Sequence, residues 1–283
     1  MTCVGRAHIT AAPGTAATVE LSAEQFARVA SWLHSHAGIH MRGGKEGLVR
    51  SRLMRRLRAL DLEDFSSYLA YVEQEIDGVE FAAMVDVLTT NKTSFLREAT
   101  HFDFVRDVIF PSATAPIRLW SAGCATGEEA YTLAMLAHES LSSVAARSLR
   151  ILATDISSRV LVTAKAGVYA DASLSDVPDA WRTRYWSAST NGTRDCYSAT
   201  PKIRRVVQFA RLNLMDAWPM HGPFDAIFCR NVMIYFDRAT QQQLVERFHA
   251  LLTPGGHLFV GHSESLTGMA HRFRYVQPAV YQK

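Results

Sequence analysis

Apolar residues recur at helical spacing through the first third of the chain. The pattern predicts four helices, at about residues 23–36, 48–60, 65–75 and 79–88. Ser22 is a suitable N-cap for the first of them. Because no strand pattern occurs before Arg118, residues 19–90 are predicted to form a small all-α N-terminal domain, joined to the rest of the chain by a linker helix at 91–115.

The pattern changes after Pro116, where short apolar runs replace the helical spacing. These runs predict strands at residues 117–121, 149–154, 206–210, 225–229 and 257–261, with a terminal hairpin in 273–281. Helical stretches separate most of the strands, which indicates an α/β domain over 116–283 with helices on both faces of a parallel sheet. The Pro254-Gly255-Gly256 run is expected to end a helix just ahead of the fifth strand.

Two segments do not follow this alternation. The connection at 165–205 is too long for a simple crossover, and it contains Asn191-Gly192, the strongest short hairpin signal. We therefore predict a small antiparallel β-subdomain inserted at about 170–205. Residues 1–18 lack the basic start and apolar block of a signal peptide, and we expect a flexible tail there.

The stretch RLWSAGCATGEE at 118–129 predicts a strand, a tight turn and the start of a helix. Gly123 and Gly127 let the backbone approach a ligand where a Cβ would collide. Carboxylates at a helix N-terminus repel a pyrophosphate, whereas Glu128 and Glu129 attract a cation. S-adenosylmethionine carries sulfonium and ammonium groups, so this turn favours methyl transfer.

Asp155 follows the second predicted strand directly. In doubly wound folds an acid at this position bonds the ribose hydroxyls of a bound nucleoside. The alternative is an N-cap for the next helix, and the preceding glycine-rich turn favours the ligand role. This residue alone does not separate S-adenosylmethionine from a dinucleotide.

The run FDAIFCRNVMIYF at 224–236 places polar residues at the end of a buried strand. Arg230 and Asn231 fall where ligands bind in open sheets, and both side chains need polar partners if they are buried. Tyr235 follows on a turn or short helix. The alternative is a surface arginine and an ordinary core tyrosine, and the pattern favours function.

The segment TTNKTSFLRE at 89–98 lies between the two predicted domains. Its polar residues around Phe95 suit a linker that also lines a cleft. An ordinary helix start is equally compatible, with Thr93 or Ser94 as the N-cap of a helix over 95–108.

Arginines are concentrated on the second predicted helix, at Arg50, Arg52, Arg55, Arg56 and Arg58. Helical spacing puts Arg52, Arg55 and Arg56 on one face. Such a run is usually a solvated face, but no acid occurs from Arg50 until Asp61, so an acidic partner is predicted. Nucleic acid is disfavoured because no aromatic residues for base stacking lie among the arginines.

Composition narrows the remaining function classes. The chain has 283 residues, 48% of them hydrophobic, and a net charge of only +3, so it can form a large core and any electrostatic role must be local. The four cysteines form no CxxC pair, which excludes a cysteine zinc site and suggests reduced thiols in a cytosolic protein. His34, His36 and His40 have no cysteine or carboxylate in their pattern, so no metal is expected. No apolar run reaches the roughly 18 residues of a membrane span.

Taken together, these motifs resemble those of the bacterial chemotaxis receptor methyltransferases, the CheR family, over about residues 19–283. The matching segments are TNKTSFLRE (90–98), WSAGCATGEE (120–129), Asn213-Leu214, CRNVMIYF (229–236), PGG (254–256) and GHSE (261–264). The resemblance implies an all-α domain followed by a Rossmann-like class I methyltransferase domain with an inserted β-subdomain. Leu96 and Ala130 depart from the usual Phe and Pro, but neither removes a polar contact, so activity is expected.

The resemblance also implies which residues act. In the family, S-adenosylmethionine is contacted by the residues that match Asn91, Thr93, Arg97, Glu129, Asp155, Asn213, Leu214, Arg230 and Asn231; the turn itself adds Gly123 and Glu128. The residues that match Arg97 and Tyr235 lie near the transferred methyl and are expected to be catalytic. The family methylates glutamates on cytoplasmic helices of chemoreceptors, so the arginines at 50–58 are expected to bind these acidic helices.

We accordingly expect a cytoplasmic, monomeric protein-glutamate O-methyltransferase that releases S-adenosylhomocysteine. Whether its β-subdomain docks a receptor C-terminal peptide stays open, since members of the family differ. An amine methyltransferase is disfavoured because the residues at 230–233 are not the Asn/Asp-Pro-Pro-Tyr/Phe element, and a dehydrogenase because GxGxxG is missing. Arg97 and Tyr235 argue against a non-catalytic adaptor.

Overall fold

The computed structural model describes residues 19–75, 78–112, 116–188 and 195–283. The predicted tail at 1–18 and the Asn191-Gly192 turn lie outside the described residues. Within the described ranges, an all-α region is followed by a mixed sheet flanked by helices and by a small second sheet. No helix in these ranges is both long enough and apolar enough to cross a membrane.

Four amphipathic helices form the N-terminal region: α1 (Ala23–Ala37), α2 (Glu46–Ala59), α3 (Phe65–Gln74) and α4 (Val79–Leu88). Each agrees with its predicted bounds to within two residues. Ser22 and Gln25 form a capping box, because each side chain accepts a hydrogen bond from the other residue's backbone N–H. The apolar faces enclose a core around Leu33, Leu53 and Tyr68.

The segment between α4 and the sheet differs from the predicted linker helix. Residues 95–99 form turns, and helical structure begins only with α5 (Thr100–Phe104), a π-helical stretch (Val105–Ile109) and α6 (Phe110–Ser112). Leu96 and Glu98 have φ angles of 55° and 57°, left-handed values that an α-helix excludes. The helix start predicted after Thr93 or Ser94 is therefore wrong.

The described residues that follow contain ten strands: β1 (Arg118–Ala122), β2 (Arg150–Asp155), β3 (Val168–Ala170), β4 (Trp186–Ala188), β5 (Cys196–Ala199), β6 (Val207–Arg211), β7 (Phe224–Cys229), β8 (Leu252–Val260), β9 (Arg274–Gln277) and β10 (Val280–Gln282). Seven of them form one sheet in the order β6-β2-β1-β7-β8-β10-β9. The first five in this order pair in parallel, and β10 is antiparallel to both of its neighbours. The strand order reverses at β1 and β7, where open α/β sheets bind ligands.

The helices of this region are α7 (Glu128–Ser140), α8 (Ser143–Ser148), α9 (Ser158–Ala166), α10 (Asp179–Tyr185), α11 (Pro201–Arg204) and α12 (Arg238–Leu251). Of these, α7, α9 and α12 pack against strands of the seven-stranded sheet. Successive strand residues point to opposite faces. Leu119 accordingly packs in the core that contains Leu133 of α7, and Trp120 packs in the core that contains Phe248 of α12. The sequence-based fold class, a Rossmann-like α/β domain after an all-α region, is confirmed.

The small antiparallel sheet has the order β3-β5-β4 and lies between β2 and β6 in the sequence. This arrangement agrees with the antiparallel insertion predicted there. Aromatic side chains join it to the main core, since Trp186 and Tyr169 pack edge-on against Phe95 of the linker. The insertion is thus packed against the segment that precedes the sheet.

The Pro254-Gly255-Gly256 run does not lie ahead of the fifth strand as predicted. It falls inside β8, and α12 has already ended at Leu251. The Gly255 N–H donates to the Lys283 carbonyl, and the Lys283 N–H donates to the Gly256 carbonyl, at 3.1 and 2.9 Å. These hydrogen bonds to a residue far along the chain extend β8 in the N-terminal direction, through both glycines.

Candidate functional site

A cleft opens at the carboxyl ends of β1, β2 and β7. The loop after α1 and the linker at 89–97 form its opposite wall. Its empty volume, which includes space open to solvent, is about 1270 Å³. The cleft lies at the reversal of strand order, where the fold itself favours a binding site.

The turn between β1 and α7 forms the centre of the sheet-side wall. Gly123 lines the cleft with φ of +85°, and a Cβ there would approach Val232 Cγ2 to 2.4 Å. Gly127, with φ of +98°, is the N-cap of α7. Both positions need glycine, because other residues adopt this backbone region only at a cost. The turn places the backbone of residues 123–125 against the cleft.

Of the two acids in the first turn of α7, only Glu129 lines the cleft. Its carboxylate accepts hydrogen bonds from Ser121 Oγ at 2.6 Å and Arg230 Nη1 at 2.8 Å. Glu128 is buried and turned away, with its carboxylate accepting from the Thr126 hydroxyl. Its inclusion among the predicted cofactor residues is corrected, because successive helix residues point in directions about 100° apart.

Asp155 ends β2, lines the cleft and is buried. Its Oδ2 accepts from the Ala125 N–H and its Oδ1 from the Ser157 N–H, both at 2.9 Å. Burial raises the pKa of this carboxyl, and the two backbone donors oppose that rise. The N-cap of α9 is Ser157, so the helix-cap interpretation of Asp155 is wrong.

Arg230 follows β7 and links the two walls. Its side chain is only 3% exposed and forms salt bridges to Glu98 at 3.0 Å and Glu129 at 2.8 Å. It also donates to the Arg97 carbonyl oxygen and stacks over the Phe102 ring. The sequence analysis predicted Arg230 as a site residue. It did not predict that Arg230 pairs with two acids from different segments of the chain.

Asn231 lines the cleft in a left-handed conformation, with φ of 59°. Glu264 holds this conformation, since its carboxylate accepts the backbone N–H groups of Asn231 and Ile234 at 2.8 and 3.0 Å. Gly261 leaves room for Asn231, because a Cβ at this position would collide with Asn231 Nδ2. Burial raises the pKa of the Glu264 carboxyl, and the backbone N–H groups that donate to it oppose that rise.

The linker supplies Asn91, Thr93 and Arg97, all of which line the cleft. Arg97 Nη1 donates to the Lys92 carbonyl at 2.8 Å, which folds its side chain back along the linker. Asn91 Nδ2 lies 3.3 Å from the Thr89 hydroxyl. The linker therefore forms a wall of the cleft, as one of the two sequence interpretations proposed.

Tyr235 is half-buried at the end of the short 3-10 turn Met233–Tyr235. Its hydroxyl donates to the Thr90 carbonyl at 3.2 Å and its ring lines the cleft. Burial raises its pKa, so the phenol is neutral at pH 7. Tyr235 thus lines the same cleft as Arg97, Glu129 and Asp155.

Asn213 and Leu214, which follow β6, complete the sheet-side lining. Asn213 Nδ2 donates to the His36 carbonyl at 2.6 Å, and its Oδ1 accepts from the Met215 N–H at 3.1 Å. These bonds tie the loop after β6 to the end of α1. Every predicted cofactor residue except Glu128 therefore lines one cleft.

The loop between α1 and α2 contributes residues that the sequence pattern did not single out. Ile39 pairs with Phe236 in an antiparallel bridge, and the His40 N–H donates to the Tyr235 carbonyl at 2.7 Å. Lys45 lines the cleft and is exposed. Its place in the site depends on how the loop folds across the sheet edge, which helical spacing does not encode.

The arginines of α2 do not act as one free patch. Arg56 forms a bidentate pair with the buried Glu80, whose carboxylate also accepts from the Tyr68 hydroxyl. Arg52 donates to the carbonyls of residues 88 and 89 and to the Thr90 hydroxyl. Arg50 pairs with Glu20.

Arg55 and Arg58 are exposed on α2 and are the members of the cluster that face solvent most openly. The prediction that all five arginines bind an acidic partner is therefore corrected in part. Distant acids from other segments, which the local sequence does not reveal, neutralise Arg50 and Arg56.

Comparison with known proteins identifies the family. The model of the CheR methyltransferase all-alpha domain matches residues 24–89, and that of the CheR methyltransferase SAM binding domain matches residues 91–281. The chain belongs to the CheR methyltransferase family. It is a methyltransferase of the chemotaxis type with an S-adenosylmethionine-binding domain.

Similar proteins extend over nearly the whole chain. The chemotaxis protein methyltransferase of Escherichia coli (strain K12) is 39% identical over 262 residues, covering 92% of this chain and 91% of that protein. The chemotaxis protein methyltransferase 2 of Pseudomonas aeruginosa is 40% identical over 261 residues, with 91% and 92% covered. A solved structure, PKMT2 of Rickettsia typhi with AdoHcy, is a distant likeness at 18% identity and a TM-score of 0.36, over 61% of this chain and 26% of that one.

Two residues that organise this CheR site were not assigned a role from the sequence. Glu98 holds Arg230, and Glu264 holds the loop that carries Asn231. Both lie within segments that match CheR motifs, 90–98 and 261–264. The motif match is the signal that could have found them, because their contacts span 132 and 33 residues of sequence.

Proposed function

We propose that this CheR-family protein transfers a methyl group from S-adenosylmethionine to glutamate side chains of chemoreceptors, giving glutamyl methyl esters that adapt chemosensory signalling. The supporting observation is how charge divides across the cleft. The acids Glu129 and Asp155 lie on the sheet-side wall, whereas Lys45, Lys92 and Arg97 come from the facing loop and linker. One wall suits a cationic donor and the other an anionic acceptor.

The sheet-side wall fits the donor. Glu129 is positioned for the ammonium group, Asp155 for the ribose hydroxyls, and the left-handed Gly123 allows close backbone approach. When bound, S-adenosylmethionine supplies a sulfonium methyl that a carboxylate oxygen can displace, with S-adenosylhomocysteine as the product. Glu128 takes no part in this arrangement.

The proposed acceptor needs no general base. A glutamate side chain has an ordinary pKa of about 4.3 and is ionised at pH 7. The protein's task is to align a carboxylate with the methyl group and to exclude water from charges that neutralise each other. Arg97 orients a carboxylate, and the neutral Tyr235 hydroxyl, held at Thr90, positions the attacking oxygen.

The proposed partner is the acidic helical region of a chemoreceptor in the cytoplasm. Arg55 and Arg58 are exposed on α2 and have no acidic partner within the part of the chain that the structure describes, and Lys45 is the N-cap of the same helix. A basic helix beside the cleft would bring a glutamate-rich helix to the methyl donor. Whether the β3-β5-β4 sheet docks a receptor peptide depends on the receptor.

The deciding experiment incubates the purified protein with methyl-labelled S-adenosylmethionine and membranes that carry a candidate chemoreceptor. We expect label on the receptor band that is released by mild base, as a methyl ester is. The matched control is the same receptor with its labelled glutamates replaced by glutamine. Base-stable label, or equal labelling of the control, would contradict a glutamate ester.

A further inference from the structure

Glu98, His101 and His262 form a compact cluster beside the cleft. One donor atom from each lies within 4.8 Å of the others. Glu98 and His101 are three residues apart at the start of α5, and the imidazole rings of His101 and His262 have centroids 4.9 Å apart. Two imidazoles and one carboxylate are a donor set that divalent transition metals use.

His101 is the unusual member of the cluster. Its side chain is fully buried, and neither ring nitrogen has a hydrogen-bond partner among the described residues. Glu98 Oε2 lies 3.5 Å from His101 Nδ1, beyond the roughly 2.7–3.2 Å of a good N–H···O bond. A buried polar group without a partner costs free energy and calls for an explanation.

We propose that Glu98, His101 and His262 bind a divalent transition-metal ion, for which Zn²⁺ is the test probe. With metal–ligand bonds of about 2.0–2.2 Å, a zinc ion brings donor atoms to about 3.5 Å from each other. The observed donors, which lie within 4.8 Å of one another, therefore need to approach each other by up to about 1.3 Å. The ion gives the orphaned imidazole of His101 a partner that no described side chain supplies.

Charged groups of both signs lie beside the cluster. Arg230 is close enough to repel an ion, but it is shared between Glu98 and Glu129. Solvent reaches the cluster at His262, which is exposed and borders a surface groove that also contains Asp103 and Asp107.

This site is coupled to the cleft through Glu98. The carboxylate that binds the ion is the one that holds Arg230, and Arg230 in turn holds Glu129 in the cleft. Occupancy of the metal site and the position of Glu129 are therefore linked.

The test titrates the full-length, chelator-treated protein with Zn²⁺ in competition with a chromophoric chelator. We expect one ion per chain, and about a tenfold or greater loss of affinity in His262→Ala, since even outer-shell changes commonly cost this much. Because His262 is exposed, this variant should fold normally. His221→Ala is the matched control, as His221 is also exposed but lies near the amino end of β1.

A second readout follows His101 itself, through its ring ¹⁵N shifts in long-range NMR correlation spectra. Zn²⁺ should move the His101 signals of the wild-type and His221→Ala proteins, but not those of His262→Ala at the same concentration. Equal Zn²⁺ affinity in the wild-type and His262→Ala proteins, no stoichiometric binding, or unmoved His101 signals at saturation would overturn the proposal.

Discussion

The two walls of the cleft differ in how firmly their charged groups are held. On the sheet side, Glu129, Asp155 and Arg230 are buried or nearly so, and each makes at least two hydrogen bonds to other parts of the chain. On the facing side, Lys45 and Lys92 are exposed. One wall is preorganised and the other is adaptable.

This difference matches two binding tasks. A small donor of fixed shape benefits from groups already held in position, because little ordering is left to be done on binding. A protein acceptor presents different glutamates in different surroundings, and exposed flexible cations can accommodate them. The contrast leads to four predictions, given in order of decreasing effect.

Replacing Arg230 should disturb the preorganised wall most. Arg230→Met leaves Glu98 and Glu129 without their shared cation, and loss of one partner from a buried ion pair commonly costs about 3–5 kcal/mol. Chemical denaturation should show a fall of this order in the free energy of unfolding. Arg230→Lys keeps the charge and should lose less; a loss below about 1 kcal/mol in Arg230→Met would contradict the bridging role.

Tyr235 lies where the two walls meet. Tyr235→Phe removes the hydroxyl that positions the acceptor, and misalignment of this kind commonly lowers turnover by up to about a hundredfold. We expect a kcat reduced about ten- to a hundredfold, with S-adenosylmethionine affinity changed less than about twofold. Tyr275→Phe, at an exposed tyrosine of β9, is the control. Weak cofactor binding with normal turnover would assign Tyr235 to the donor wall instead.

Lys45 tests the adaptable wall. Removing one exposed cation should cost about 1 kcal/mol of acceptor binding, so Lys45→Ala should raise the KM for receptor about fivefold and leave kcat nearly unchanged. Arg42 is exposed on the same loop but does not line the cleft, so Arg42→Ala is the matched control. Steady-state kinetics with receptor membranes measure both. Equal KM values for the two variants would argue against a specific role of Lys45.

The smallest effect concerns how the free energy of unfolding depends on pH, through a histidine of the main sheet. Burial lowers the pKa of His257, in β8, to about 4 from its ordinary 6.5, so the unfolded chain binds the proton first as pH falls. The contribution of the neutral His257 to the free energy of unfolding is fully present above about pH 6.5 and is lost between there and pH 4. The loss from pH 7 to pH 6 is at most about 0.7 kcal/mol. His257→Gln should flatten this part of the curve of unfolding free energy against pH; the exposed His221→Gln should not.

The sequence predicted the sheet-side wall far better than the facing wall. Asp155 and Arg230 each end a run of apolar strand residues, and parallel strands bring their carboxyl ends to one edge. Lys45 lies in a glycine-containing loop with no periodic pattern. Its position in the site depends on the pairing of Ile39 with Phe236, almost two hundred residues away.

The wrong expectations share one physical cause. One of two equally compatible interpretations was a helix from residue 95, but Leu96 and Glu98 take left-handed conformations while the neighbouring Arg97 carbonyl accepts a hydrogen bond from Arg230. The Pro254–Gly256 run likewise joins a strand because it bonds to Lys283. In both cases a contact between distant residues outweighed the local preference.

By itself the sequence determined the two-part architecture, the strand edges that carry the site and the donor class, because apolar periodicity and a glycine-acid turn are local properties. Only the tertiary structure decided which of the two adjacent acids faces the cleft, which arginines stay free and which groups join Arg230. Those outcomes depend on side-chain directions and on pairs of charges far apart in the chain. The same long-range packing buried His101 without a hydrogen-bond partner, next to Glu98 and His262.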